Sequence, residues 1–227
     1  MQVALVGSER AKPQPKLKGI CQFCGGEMIA KCGRVKVWHW SHKANPPCDP
    51  WWENETEWHR QWKNRFPLDW QEMVLFDQET GEKHVADVRT PHGLVIEFQH
   101  SAIKPEEIAA REAFYKNMNW IVDGTRGELD PAYFDMGTWG PIEIEYDPLA
   151  YGIHWMGRSR LFHNWGSVGA MVYLDFGKDV LFRLITFNPE TKRGAVGPVH
   201  RTTAIDDDCL NGRPVSVLVK SGHRQAD

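Results

Sequence analysis

His84-Val85-Ala86-Asp87-Val88-Arg89, followed after a short break by Leu94-Val95-Ile96-Glu97-Phe98-Gln99-His100-Ser101, is the stretch that decides the fold. Both runs are rich in β-branched and apolar residues, and Thr90-Pro91-His92-Gly93 between them holds two turn formers, so the stretch reads as a β-hairpin. The two-residue period of a strand puts Leu94, Ile96 and Phe98 on one face and Val95, Glu97 and Gln99 on the other. Asp87 and Glu97 then stand nearly opposite each other across the ladder. Two carboxylates brought together beside apolar neighbours repel unless a cation joins them. Mg²⁺ or Mn²⁺ suits such a pair, and a metal held this way serves attack on a phosphodiester.

The pattern Ala86-Asp87-Val88 … Glu97-Phe98-Gln99-His100-Ser101 resembles the core of the PD-(D/E)xK nucleases, with Gln99 where that superfamily usually carries lysine. More narrowly it is similar to the competence-protein CoiA-like nuclease family, over about Cys21 to Gly124. The resemblance implies a restriction-endonuclease-like αβββαβ core, catalytic Asp87, Glu97 and Gln99, and an acidic residue from the preceding helix. Glu57 fits that last place best, with Glu53 one turn away. His59-Arg60 matches a His-Arg pair of the family, and an Arg with an aromatic on the following helix matches Arg111 and Tyr115. An amide at position 99 supplies neither charge nor a titrating proton at neutral pH, but it can orient a water.

The chain has 227 residues and a net charge of −3, with 41% apolar and 25% charged residues, an ordinary balance for a globular protein. That balance excludes a uniformly basic protein but not a local basic face; residues 1–52 hold eight Lys/Arg against three Asp/Glu. No apolar run approaches a membrane span, and the N-terminus is too short and polar for a signal peptide, so a cytoplasmic protein is expected. Five cysteines, four of them between 21 and 48, suit a metal site in a reducing compartment better than a disulfide framework. Cys21-x-x-Cys24-Gly25 is a zinc-ribbon-like knuckle, completed by His42 and Cys48 or, as an alternative, by His39 in place of Cys48. So little apolar mass would need a structural Zn²⁺ to fold.

Asp49-Pro50 signals a helix start, predicting a helix over 49–66 with Trp51, Trp58 and Trp62 on one face and Pro67 as the stop. Leu68–Phe76 predicts a strand, 104–118 a helix in which Arg111 presents a phosphate-binding fork or pairs with Glu107, and Trp120–Gly124 a buried strand. Val3–Val6 reads as an edge strand leading into an arm. Beyond Thr125 the apolar segments are short and β-like, with Trp155, Arg158, Arg160, Trp165 and Arg183 mixing aromatics and bases as a single-strand binder would, or simply packing. The expected organisation is an arm and zinc-ribbon-like module over 1–48, a nuclease core over 49–125 and a β-rich extension over 126–227. The expected activity is metal-dependent hydrolysis of DNA in processing or recombination. Two other readings compete: a nuclease-fold DNA-binding module that recruits recombination proteins, and a phage-type interaction protein with zinc for folding only.

Overall fold

A computed structural model describes residues 1–44, 47–53, 55–144 and 149–203. The tail read as frayed lies outside them. The fold is mixed α and β, and the chain divides into two compact units, Met1–Ala102 with Ala113–Met118, and Ile103–Glu112 with Asn119 onward. The cysteine-rich segment and the hairpin share the first unit.

The first unit opens with five short strands, β1 (Ala4–Val6), β2 (Glu9–Ala11), β3 (Lys18–Ile20), β4 (Glu27–Lys31) and β5 (His39–His42). They form one antiparallel sheet in the order β2-β1-β3-β4-β5. The N-terminus is therefore no extended arm, and β1 is an inner strand. Arg10 donates to Gln22 Oε1 at 2.8 Å and to the Gln71 carbonyl, and the indole of buried Trp40 donates to the Ala11 carbonyl at 2.9 Å. Ala4, Cys21, Met28 and Trp40 form a small core, against which Phe23, Cys48 and Val85 pack.

Helix α1 runs only over Glu57–Lys63, not over 49–66. Thr56 is its N-cap and accepts from the His59 amide, while Asp49 closes a local turn by accepting from the Trp51 amide at 3.0 Å. Trp58 and Trp62, one turn apart, pack on Phe98, the latter stacked at 5.7 Å; Trp51 lies before the helix and stacks on His84 instead. After a 3₁₀ turn at Leu68–Trp70 come β6 (Gln71–Phe76), β7 (Lys83–Arg89) and β8 (Val95–Gln99), an antiparallel set in that order. The β7–β8 turn closes through Thr90 N to Leu94 O at 2.9 Å and Gly93 N to Thr90 O at 3.0 Å. Gly93 takes φ +82°, which a side chain would resist. His84, Ala86 and Val88 alternate as the buried face of β7, opposite to Asp87.

Helix α2 (Pro105–Tyr115) and β9 (Met118–Asp123) follow, so α1, β6, β7, β8, α2 and β9 appear in the expected order. In the second unit come α3 (Asp130–Gly137), β10 (Thr138–Ile142), β11 (Ala150–His154), α4 (Leu161–Trp165), β12 (Met171–Asp175), β13 (Val180–Asn188), β14 (Arg193–His200) and a final turn, α5 (Arg201–Thr203). Its strands lie in the order β10-β11-β14-β13-β12-β9, with β9 and β12 parallel and the other pairs antiparallel. Trp120, Trp155, Trp165, Phe134 and Phe162 are buried there, so Trp155 and Trp165 are packing residues and not platforms for bases. Among the described residues no helix is long and apolar enough to cross a membrane.

Candidate metal centre and carboxylate site

Cys21, Cys24, His42 and Cys48 come together with all their ligand atoms within 4.8 Å of one another. The knuckle forms because Gly25, at φ +71°, lets the chain reverse, with Gly25 N bonded to Cys21 O and Cys21 N to Gly26 O, each at 2.9 Å. Strand β5 brings His42 alongside. The Cys21 and Cys48 sulfurs are 3.9 Å apart, and Cys24 Sγ is 3.2 Å from His42 Nε2. Tetrahedral zinc with Zn–S of about 2.3 Å sets sulfurs about 3.8 Å apart. The donor set and its spacing fit a metal such as zinc. Burial, opposed by a backbone hydrogen bond at Asp49, and the neighbouring Cys21 and Cys24 push the Cys48 thiol up to about 12. Cys48 is therefore protonated at neutral pH without a metal, and zinc, which ligates thiolates, would displace that proton. His39 is not in the cluster. It lies three residues from His42 on a strand, an odd spacing that sends the two rings to opposite faces, and its Nδ1 sits 2.8 Å from the Val37 carbonyl.

The residue after the last cysteine fastens this module to β7. Asp49 is buried; its Oδ2 accepts from the Val85 amide at 2.6 Å, and its Oδ1 lies 2.9 Å from His84 Nδ1. Lys83 donates to the Phe23 carbonyl, inside the cysteine knuckle, at 2.6 Å. His84 is thus a brace, with Trp51 on its face and Glu82 Oε1 2.9 Å from its Nε2. Asp49→Ala leaves the part-buried Val85 and Trp51 amides and His84 Nδ1 without this acceptor. We expect a loss of about 2–3 kcal/mol in urea unfolding, since each buried donor left unpaired costs about 1–3 kcal/mol.

The β7–β8 register pairs Val88 with Ile96 and Arg89 with Val95, and continuing it sets Asp87 against Glu97. The two carboxylates brace the hairpin crosswise: Glu97 Oε1 accepts from the Asp87 amide and Asp87 Oδ2 from the Phe98 amide, both at 3.0 Å. On β6, Glu72 falls between Gln71, paired with Val88, and Met73, paired with Ala86, and so stands level with Asp87. Glu72, Asp87 and Glu97 make a row of acids across three strands. Lys63, which the sequence did not mark out, reaches into this row from the end of α1. Its buried ammonium lies 3.0 Å from Asp87 Oδ1, 3.1 Å from Glu72 Oε1 and 3.1 Å from Glu55 Oε1. Burial works against the charge, but the three carboxylates hold the lysine well above its usual range. Burial likewise opposes ionisation of Asp87, and the Lys63 ammonium nevertheless keeps Asp87 below the usual carboxylate range.

Glu53, rather than Glu57, reaches the end of the hairpin. Its Oε1 accepts from Gln99 Nε2 and its Oε2 from Ser101 Oγ, both at 2.5 Å. Gln99 is buried and also donates to the Ser101 carbonyl at 3.1 Å, so its amide is a clamp for a carboxylate. Glu57 is exposed and borders an open cavity of about 710 Å³ with His39, His42 and Trp52. His59 is buried, with Nδ1 2.9 Å from Thr56 Oγ1; burial pushes it down against the pull of Asp87. Arg111 lies in the second unit, where it is buried and donates to Glu107 at 2.6 Å beneath the Trp120 ring.

The hairpin acids, Gln99, His59 and Lys63 thus form one constellation, the four zinc-type ligands form another, Glu57 is exposed, and Arg111 is paired with Glu107. Comparison of the chain with family models, curated proteins and solved structures gives no match.

Proposed function

We propose that this chain is a metal-dependent nuclease of the CoiA-like type, built on a restriction-endonuclease-like core, that hydrolyses phosphodiester bonds of DNA in processing or recombination. The observation that carries the reading is the placement of Asp87 and Glu97 side by side on β7 and β8, with Glu53 clamped by Gln99 and Ser101 at the end of the same hairpin. Asp87 and Glu97 would hold Mg²⁺ or Mn²⁺; each carboxylate has more acceptor capacity than its backbone contact uses. The metal would supply an activated water and stabilise charge growing on the phosphate. Gln99 keeps Glu53 in place, and neutral His59, buried beside Asp87, offers a proton acceptor at neutral pH. In this reading Zn²⁺ at the cysteine cluster serves folding.

The test is cleavage of labelled single-stranded, duplex and branched DNA with Mg²⁺, Mn²⁺ or EDTA. Asp87→Ala and Glu97→Ala are expected to reduce cutting at least about 100-fold, the scale on which removal of one electrostatic element of a hydrolytic site is felt. Glu53→Gln should cost more than Glu57→Gln, which leaves an exposed carboxylate's surroundings unchanged. Cutting that survives in both hairpin variants, or no cutting of any substrate, sinks the nuclease reading. One observation favours a second reading, a nuclease-fold DNA-binding module without catalysis: the Lys63 ammonium already stands as a cation against Asp87. Salt-sensitive DNA binding with no Mn²⁺ uptake would be its result.

A further inference from the structure

The second unit carries a basic hollow that the nuclease reading does not use. A cavity of about 430 Å³ is lined by Met156, Arg158, Ser159, Arg160, His163 and Lys192, together with Gly157. Among the described residues no acidic side chain lines it, and the side chains of Arg158, Arg160 and Lys192 have no ion-pair partner. All three are exposed, and three unpaired cations converging on one concave surface repel one another unless an anion joins them.

The hollow is built on a rigid floor. Trp155 is fully buried, and its indole donates to the Ser159 carbonyl at 3.0 Å, folding the 156–160 segment back over its own ring. A Cβ at Gly157 would come within 2.4 Å of that ring, so the turn lies directly on the indole. The Trp155 amide donates to the Lys192 carbonyl at 2.8 Å, which ties the β13–β14 turn to the same residue. Asn188 Oδ1 accepts from the amides of Glu190 and Thr191 at 2.9 and 3.0 Å and fixes that turn's shape. One buried tryptophan therefore places the arginine-bearing loop and the lysine-bearing turn. Among the described residues the carboxylate tied to the lining is Asp130, which is buried and bonded to the Ser159 hydroxyl. His163 is pushed down by burial and by Lys192 and Arg160, so it stands there as a neutral hydrogen-bonding ring.

We propose that Arg158, Arg160 and Lys192 form a binding site for the phosphodiester backbone of a nucleic-acid strand. More than one phosphate is needed to balance three cations, and half-exposed Met156 at the rim offers an apolar contact to a sugar or base, which a free anion would not use. The choice of nucleic acid among phosphate carriers rests on the nuclease reading; the anion preference of the hollow does not.

The experiment is fluorescence anisotropy of a labelled single-stranded oligodeoxynucleotide in the absence of Mg²⁺, with wild type and the triple variant Arg158→Ala/Arg160→Ala/Lys192→Ala. All three side chains are exposed, and an unchanged circular dichroism melt checks the fold. The triple variant is expected to bind at least about 10-fold more weakly at about 0.1 M salt, with a slope of log affinity against log salt smaller by about 2. Equal affinity and slope in wild type and triple variant overturns the proposal even if DNA is cut, so its failure is separate from that of the nuclease reading. Binding of pyrophosphate alone, with no oligonucleotide bound, overturns it in favour of a small phosphate ligand.

Discussion

Lys63→Met is expected to lower the unfolding free energy by about 3–5 kcal/mol, the cost of breaking a buried ion pair from one side. Methionine keeps the apolar stem, so no large cavity opens, and the loss comes chiefly from Glu72 and Asp87 facing one another without the ammonium they share, while Glu55 keeps the N-terminal ammonium and Arg60. The pH dependence should also change sign. In the wild type, burial opposes the ionised forms of Glu72 and Asp87, yet Lys63 holds both below the usual range. Groups depressed in the folded state contribute stability that is full above their unfolded values, about 4, and is lost as the pH falls through the folded values. Without the ammonium, burial dominates and the same carboxylates titrate above their unfolded values, so the variant gains stability as the pH is lowered from neutral. Urea unfolding followed by tryptophan fluorescence between about pH 5 and 8, without Mg²⁺, reads both effects. A loss below about 1 kcal/mol with an unchanged pH slope would remove the cage as a stabilising element.

Removal of metal from the cysteine cluster should have the larger structural effect. Structural zinc in small finger peptides supplies an apparent free energy of about 10–16 kcal/mol at neutral pH, comparable with the whole stability of a typical domain. The five strands around the cluster rest on a core of only a few residues, chiefly Met28 and Trp40. Chelation or Cys24→Ser is expected to abolish amide protection of Cys21, Met28 and Trp40, and to release the Val85 amide from Asp49. His42→Ala should lose the metal, measured by elemental analysis, while His39→Ala keeps about one ion per chain. The reverse pattern would move the site to the other histidine, and a metal-free wild type that keeps its amide protection would make the cluster ordinary buried thiols.

The hairpin was legible because its signals are local: a Pro-Gly turn segment, a two-residue period and acids at matched distances from the turn. The cysteine cluster was legible for the same reason, with a knuckle and its remaining ligands inside one short segment. The start of α1 was misread because Asp-Pro is a sound local cap, yet the Asp49 carboxylate is bonded to β7, an attachment that only the folded chain supplies. Lys63 was invisible in a helix that looked merely charged. Its meaning lies in Glu55, Glu72 and Asp87, which come from separate elements and converge only after the strands pair. Glu53 outranked Glu57 at the hairpin because α1 begins at Glu57, leaving Glu53 in an irregular segment able to reach Gln99 and Ser101. In the C-terminal half, aromatic and basic residues were mixed in sequence but sorted in space: Trp155 and Trp165 went inside, while Arg158 and Arg160 stayed at the surface.

The fastening of the N-terminal sheet to the hairpin also sets an order of events as the chain is made. The metal ligands are complete at Cys48, so the cluster can close while the rest is still being synthesised. Its seat arrives later. Glu72 must appear before it can accept from the amides of Gln2 and Val3 at 2.7 and 2.8 Å, and β7 must follow before Asp49 finds the Val85 amide. Closing contacts between such distant residues is slow, and exposed strand edges in the interval invite mispairing. An ion bound there would give the nascent module a stable shape during that wait, and early metal supply would then be a determinant of folding yield.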